Sequence, residues 1–544
     1  MAFTERFRST IFKSMLRRAT LRFSAASAIC LLVSALALAQ GARGTISGQV
    51  TDASGAVIAG ATVSLKNVAT QQQRTVVTDN NGSYQFLEIE PATYNLTVSA
   101  KGFSDALLQE ATLEPSRHLT LDVSLKAAGV TEQVSVTAGQ ELIDRESATL
   151  GTTVDNKRVV GLPLNGRNIL DLALLQPGVA PVATAGSFGS GEGFRVNGAR
   201  AVENNFTLDG SNNNEIAVGS DFGNEPRPDA VQEFRVLTGN YDAEYGRDAG
   251  SVINVVVKGG TNRFHGDARL FYRPTFLSAG RFFDNMAHLP VRRFERKEIG
   301  GNFGGPLDIP HVYNGKDKTF FFFDFETRRQ LVGNSQTLTG LPTVNERNGI
   351  FSHTIVDPAT GKPFPNNTID PTRISPIAKY YLNFIPIGDA SGRATVQANE
   401  ITNNDYITAR LDHQINSKQT VNFIANYFQS SDATPFAFGG ANVPGFGAVN
   451  LQNTYNYVFH HTYAISSTLI NSFLISYVRN NSPAVSPVNT TTPQQIGFTA
   501  NFVADAAFAG PPNVRLLDRG LNLGNTIQGP QARISQNFQL QDSV

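Results

Sequence analysis

Apolar residues recur at every second position along much of this chain, and the 3.6-residue period of an amphipathic helix is scarce. Tyr94, Leu96 and Val98 alternate with Asn95, Thr97 and Ser99, as in a strand with one buried face. Ile46, Gln49-Val50, Val57, Val63-Ser64-Leu65, Thr75–Thr78 and Tyr84–Leu87 are further short β-rich runs. Asp52-Ala53-Ser54-Gly55 and Asp79-Asn80-Asn81-Gly82 break them with turn residues. About seven strands with turn signals every 8–12 residues predict a small β-sandwich over 44–126. Between 130 and 262 the pattern changes to a small α/β unit: one short helical stretch over Val159–Leu175, Val-rich strands, and Asn-Gly and Asp-Gly turns.

From 263 to 544 the alternation lengthens. Ile407, Ala409 and Leu411 fall on one face of a strand and Thr408, Arg410 and Asp412 on the other. Tyr455, Tyr457, Phe459, Tyr463 and Ile465 share a face, as do Phe473, Ile475 and Tyr477. An apolar-out, polar-in dyad over segments of about ten residues is the pattern of an outer-membrane β-strand, although a soluble sandwich alternates too. At roughly 20–25 residues per strand and loop this region holds ~12 strands, against the 22 of plugged transporters. The sequence ends on Val544 rather than an aromatic residue, so the expectation is a C-terminally truncated fragment of a longer barrel.

The first residues predict export. Arg17, Arg18 and Arg22 precede an apolar stretch over 23–39, and Ala37-Leu38-Ala39 matches a small-x-small cleavage site, giving a signal peptide over 1–39 that begins at Met1 or Met15. The stretch is shorter than the ~20 residues of a spanning helix. Cys30, the single cysteine, lies inside it, so the mature chain is expected to lack disulfides and Cys-ligated metal. Forty-five basic residues balance 45 acidic ones, which leaves no electrostatic footprint for nucleic acid. With no Trp, any aromatic girdle must be built from Tyr and Phe.

Several stretches carry a resemblance. Gly48-x-Val50-x-Asp52, Ala59-Gly60-Ala61-Thr62-Val63, Asp79-x-x-Gly82-x-Tyr84-x-Phe86 and Ala100-x-Gly102-Phe103 resemble the carboxypeptidase regulatory-like domain, a non-catalytic transthyretin-type sandwich. Leu162-Pro163-Leu164-Asn165-Gly166-Arg167-Asn168, Leu175-Gln176-Pro177-Gly178-Val179, Arg195-Val196-Asn197-Gly198 and Asn204-Asn205-Phe206-Thr207-Leu208-Asp209-Gly210 resemble the plug of Oar-like TonB-dependent receptors. So do Val231-Gln232-Glu233-Phe234-Arg235-Val236 and the run Gly250–Asn262. Gly300-Gly301-Asn302-Phe303-Gly304-Gly305-Pro306, Lys318–Phe323 and Arg410-Leu411-Asp412-His413 resemble the barrels of the same receptors. The implied architecture is mainly β: a transthyretin-like sandwich (44–126), a TonB box with a small α/β plug (130–262), and part of a transmembrane antiparallel barrel (263–544). Glu132, Gln133, Val134, Ser135, Val136 and Thr137 are similar to a TonB box, which pairs as a strand with the inner-membrane-energised protein TonB. They equally suit the last strand of the sandwich or the first of the plug.

Chemistry is sparse. H-E-x-x-H, G-x-S-x-G and Walker motifs are absent, so neither an enzyme nor a cofactor is expected. Gly189, Gly191 and Gly193 lack the third glycine of a dinucleotide loop, because Phe194 stands there, and suit a plug loop better. Asp79-Asn80-Asn81-Gly82 suits a hairpin better than an ion site. His460 and His461, being adjacent, point to opposite faces of a strand and cannot readily share a metal. Asp221, Glu225 and Asp229 near Arg227 either touch a ligand at the plug's outer face or form a solvated loop, the commoner outcome.

The resemblance implies an outer-membrane receptor or transporter whose partners are TonB, lipid and an extracellular ligand. Siderophore, oligosaccharide, peptide and exported protein all fit, as do import and export. A surface adhesin is the principal alternative, and a peptidase or glycosidase accessory module a more remote one.

Overall fold

The computed structural model describes residues 43–544 except 115–116, 128–133, 138–148, 183–192, 216–219, 222, 242–245, 247–248, 287, 289, 438, 467–468, 484–485, 500–509 and 527–531. The predicted signal and Cys30 lie outside these residues. No helix among the described residues is long and apolar enough to cross a membrane.

The first unit is a sandwich. Strands β1 (Gly44–Asp52), β4 (Ser83–Ile89), β7 (His118–Thr120) and β8 (Val123–Leu125) form one sheet, with β1 between β4 on one side and β7 and β8 on the other. The second sheet has the order β3-β2-β5-β6-β9, from β2 (Thr62–Asn67), β3 (Gln73–Val77), β5 (Ala92–Ser99), β6 (Ala106–Leu113) and β9 (Val134–Thr137). Eight strands thus occupy the stretch read as about seven. Alternate residues point between the sheets: Ile46, Val63, Leu65, Phe86, Leu96, Val98 and Leu113 are all buried in one cluster. Within the first sheet Gly48 lets the link between β7 and β8 lie against β1, since a Cβ there would sit 2.0 Å from the Leu121 carbonyl oxygen. Asp79-Asn80-Asn81-Gly82 is a hairpin turn, its Asp79 carboxylate accepting the Asn81 and Ser83 amides at 2.8 and 2.9 Å.

The second unit is a five-stranded sheet in the order β10-β13-β14-β11-β12, made of β10 (Leu150–Asp155), β11 (Asn204–Leu208), β12 (Ser211–Asn212), β13 (Val231–Gly239) and β14 (Ser251–Val257). β11 and β14 run parallel; the other pairs are antiparallel. The helical stretch read over Val159–Leu175 is two pieces: helix α1 (Asn156–Gly161), capped by Asp155, and a 3-10 helix over Ile169–Leu175. Pro163 and the left-handed Gly166 (φ 78°) and Arg167 (φ 56°) interrupt any continuous helix.

The third unit is a sheet of eight long antiparallel strands in chain order: β15 (His265–Arg273), β16 (Phe294–Pro306), β17 (Thr319–Leu338), β18 (Ala394–Asn416), β19 (Gln419–Thr434), β20 (Ala448–Ala464), β21 (Ile470–Ser482) and β22 (Arg533–Ser543). Among the described residues this sheet has eight long strands, where an average loop length gave ~12. Connections at one end are short (307–318, 417–418, 465–469), but those at the other end are long (274–293, 339–393, 435–447, 483–532) and absorb the missing residues. Three of the long connections fold onto one another around Leu341, Tyr381, Val443, Phe446, Ile496 and Leu523.

The two faces of this sheet divide as the dyad predicts. On β18, Thr402, Asn404, Thr408 and Arg410 are buried against the second unit, while Ile401 and Leu411 are exposed outside. On β20, Thr454, Asn456, His460 and Thr462 face in and Tyr457 faces out. The outer face carries Phe264, Phe303 and Phe321 in mutual ring contact, with centroids 5.5–6.5 Å apart, in place of tryptophan. One patch departs from the pattern. Ile424, Val458 and Leu474, on three adjacent strands, face inward and join the apolar core of the second unit with Phe206, Phe234 and Val255.

Candidate functional site

The turn Asn165-Gly166-Arg167 and the 3-10 turn at Pro228–Ala230 lie side by side on the second unit, where Arg227 Nη2 donates to the Gly166 carbonyl at 3.0 Å. Both turns aim an arginine at the barrel wall. Arg227 Nε donates to Glu326 Oε1 at 2.6 Å, and Arg167 Nε lies 3.4 Å from Glu326 Oε2. Arg269 on β15 reaches Glu326 Oε2 at 3.0 Å, Asp324 Oδ1 at 2.7 Å and Asp229 Oδ2 at 3.2 Å. Arg167 also pairs with Asp229, and Glu298 lies 3.8 Å from Arg227. Arg227 stacks on the Tyr406 ring and Arg167 on the Phe271 ring, 4.7 and 4.3 Å from the centroids.

Three arginines thus meet four carboxylates in a dry seam. Burial works against the charge on Arg227, but Tyr406, Glu326 and Glu298 outweigh it and raise its pKa. A shared ionic network of this kind, even with Arg167 Nε and Glu298 Oε1 left without a hydrogen bond, positions two surfaces, because removing one member strands the others. Among the described residues no group of three or more His, Cys, Asp and Glu could hold a metal.

A second junction lies at the short-turn end. Glu90, in the β4–β5 turn of the sandwich, accepts Arg410 Nη2 at 3.1 Å and Asn422 Nδ2 at 2.7 Å from the barrel, and Arg43 Nη2 at 3.1 Å from its own unit. Burial opposes the charge on Glu90, but Arg410 and then Arg43 hold its carboxyl below the usual range. Arg410 Nη1 also donates to the Val257 carbonyl of β14 at 3.2 Å, and His460 Nε2 lies 2.9 Å from the Asp209 carbonyl. Asp209 Oδ1 accepts the Val257 amide at 3.1 Å, while Oδ2 is buried without a partner. Burial pushes the Asp209 carboxyl up to about 7 even though Arg410 pulls it down.

The residues singled out from sequence fare unequally. Arg227 and Asp229 come together, but inside the wall seam and not on an outer, ligand-facing surface. The side chain of Asp221 lies outside the described residues, and Glu225 is half-buried. His460 faces inward and His461 outward, so they share nothing. Glu132, Gln133, Gly189 and Gly191 lie outside the described residues. Val134, Ser135, Val136 and Thr137 form β9, which runs parallel to β6 in the register Ala106↔Val134 to Gln109↔Thr137. Glu90, Arg167, Arg269, Glu326 and Arg410 were missed as functional residues. Arg167 and Arg410 carried a signal, one as the arginine after an Asn-Gly turn and the other as an inward position in the Arg410-Leu411-Asp412-His413 stretch.

A plug-like unit pinned by buried charges against the inner face of a long-stranded antiparallel sheet defines a class, and sequence comparison agrees. Residues 256–544 match the outer membrane beta barrel domain, 130–253 the TonB-dependent receptor plug domain, and 45–126 the carboxypeptidase regulatory-like domain. The chain belongs to the outer membrane β-barrel family. Among individual proteins it is similar to the TonB-dependent transporter Oar of Myxococcus xanthus, 30% identical over 336 residues that cover 60% of this chain and 30% of Oar. Solved structures with a likeness include the outer membrane transporter YddB of Escherichia coli (TM-score 0.46, 11% identity, 72% of this chain and 45% of that one). The siderophore receptor PirA of Acinetobacter baumannii has a TM-score of 0.37 at 16% identity, over 61% of this chain and 40% of that one. The chain thus spans less than half the length of these relatives.

Proposed function

We propose that this chain is a TonB-dependent outer-membrane receptor that moves a ligand across the membrane without chemistry of its own. The observation that carries this reading is the seam of Arg167, Arg227, Asp229 and Glu326, which seats a separate folded unit inside the barrel wall through ion pairs that can break and re-form. The ligand would meet the long connections, 274–293, 339–393, 435–447 and 483–532, on the cell exterior. The sandwich and the short connections would face the periplasm. TonB would engage the 132–137 segment as an added strand and pull on the plug directly behind it.

Capture of the full chain by an immobilised periplasmic TonB domain tests this. Binding should fall at least tenfold for Val134→Pro, which removes a strand donor. Equal capture by both proteins removes the box from the mechanism. Extraction by urea instead of detergent would favour the adhesin reading.

A further inference from the structure

The sandwich is not a tethered appendage, because it is bonded to both other units at one place. Glu90 enters the mouth of the barrel at its short-turn end and takes hydrogen bonds from Arg410 on β18 and Asn422 on β19. Beside it, the β2–β3 turn is tied to the junction of plug and barrel: the Asn262 amide donates to the Ala69 carbonyl at 3.1 Å, and Asn262 Nδ2 to the Thr70 carbonyl at 3.2 Å. A cavity of about 210 Å³ is lined jointly by sandwich (Arg43, Tyr94), plug (Asp209, Val257) and barrel (Arg410, His460). The plug strand β14 therefore has the sandwich on its periplasmic side.

Arg410 is the hinge of this arrangement. Its guanidinium gives Nη1 to the plug's Val257 carbonyl and shares Nη2 between the sandwich's Glu90 and Asp412, which also takes Nε. A guanidinium is a planar, rigid fork, so a shift that frees one of these contacts moves the donors of the others. Loss of Glu90 also removes an anion from a pocket that holds Arg43 and Arg410, leaving Asp412 and the plug's Asp209 as the carboxylates beside Arg410. Sandwich and plug are bound to one another through a side chain that belongs to neither.

We propose that the sandwich is a second gate: docked through Glu90 and the Ala69–Thr70 turn, it covers the periplasmic exit of the plug and must swing away before β14 can leave Arg410. The gate rests on the receptor reading for its direction, since the exit is periplasmic only if TonB pulls from that side. The coupling between sandwich and plug does not depend on TonB at all. The partner of the site is thus the chain's own first domain, and its release is the step that licenses plug movement.

Hydrogen exchange of the full chain in detergent, in a Cys30→Ser background, separates the possibilities. In Glu90→Ala, amides of 83–95 and of 251–258 should both exchange about tenfold faster than wild type, while the core strand 62–67 stays protected and shows that the sandwich remains folded. A Thr70→Cys/Asn262→Cys disulfide added to Glu90→Ala should return 251–258 to the wild-type rate, and reduction should release it. Faster exchange at 83–95 with 251–258 unchanged overturns the gate, as does no change at either. Glu90→Gln gives the same reading if Glu90→Ala exposes 62–67. With the periplasmic TonB domain added, the disulfide-locked chain should bind without speeding exchange at 251–258. Faster exchange in the locked chain rejects the gate, whereas no capture of the unlocked wild type rejects only the receptor reading.

Discussion

Arg227 of the plug and Glu326 of the barrel meet at 2.6 Å with side chains 5% and 0% exposed, so the ion pair that seats the plug is out of reach of water. Glu326→Ala removes the carboxylate that Arg227, Arg167 and Arg269 share. Breaking one member of a buried ionic network costs about 3–5 kcal/mol, because its partners are left charged and dry. The urea concentration at which the 227–236 segment becomes cleavable by protease should therefore fall sharply, with barrel strand content unchanged. A normal midpoint would show that the seam does not hold the plug.

Acidity should tighten the plug. Burial pushes Asp209 up to about 7, and pushes Glu233 up to about 8 with Glu114 and Asp155 adding to the effect. Both carboxyls have raised pKa values in the folded state, so the native plug binds more protons than the unfolded chain between their ordinary values and these. That contribution is full below about pH 4 and is lost as pH rises through 7 to 8. The urea midpoint for plug release should be higher at pH 5.5 than at pH 8.5. Asp209→Asn with Glu233→Gln should flatten the difference.

Two neighbours on β20 should fail in different ways. Tyr457 points outward and Val458 inward into the plug core. Tyr457→Arg puts a charge on the lipid face, at a cost of about 2–4 kcal/mol near the midplane, and should lower the yield of membrane-inserted protein. Val458→Ser should insert normally and loosen only the plug, visible as faster exchange of the β13 and β14 amides.

In the sandwich, Phe86 is fully buried between the sheets. Phe86→Ala should cost about 3–5 kcal/mol and expose 44–126 to protease before the barrel melts. Simultaneous loss of barrel strands would mean that the units do not unfold separately.

Residue pattern reached as far as local rules reach. The dyad on β18 and β20 named the inner and outer residues correctly, because side-chain direction in a strand follows from parity alone. The Asn165-Gly166-Arg167 motif was visible, but its purpose was not: Arg167 and Glu326 meet only through the path of the folded chain, which no spacing encodes. Arg227 and Asp229 were read as a possible outer cluster for the same reason. Ile424, Val458 and Leu474 were illegible as a group, since each looks like an ordinary exception until three strands align it. The strand count failed on an average, because 339–393 and 483–532 are far longer than a usual loop. The segment 134–137 was left open between three roles, and its pairing with β6 depends on an edge that only the assembled sandwich offers.

The inward patch of Ile424, Val458 and Leu474 gives the lumen a preference of its own. A barrel wall lined only with polar groups would be content to fill with water once its plug had been drawn away. This wall would instead present three bare aliphatic side chains to that water, each worth about 1.5–3 kcal/mol when covered. The displaced plug would likewise carry out an uncovered share of its own core. Wetting both surfaces together costs more than wetting either alone, so an emptied lumen acts like a stretched spring. On the proposed receptor reading, whatever pulls the plug would need to supply work in one direction only, and the return stroke would be driven by water leaving.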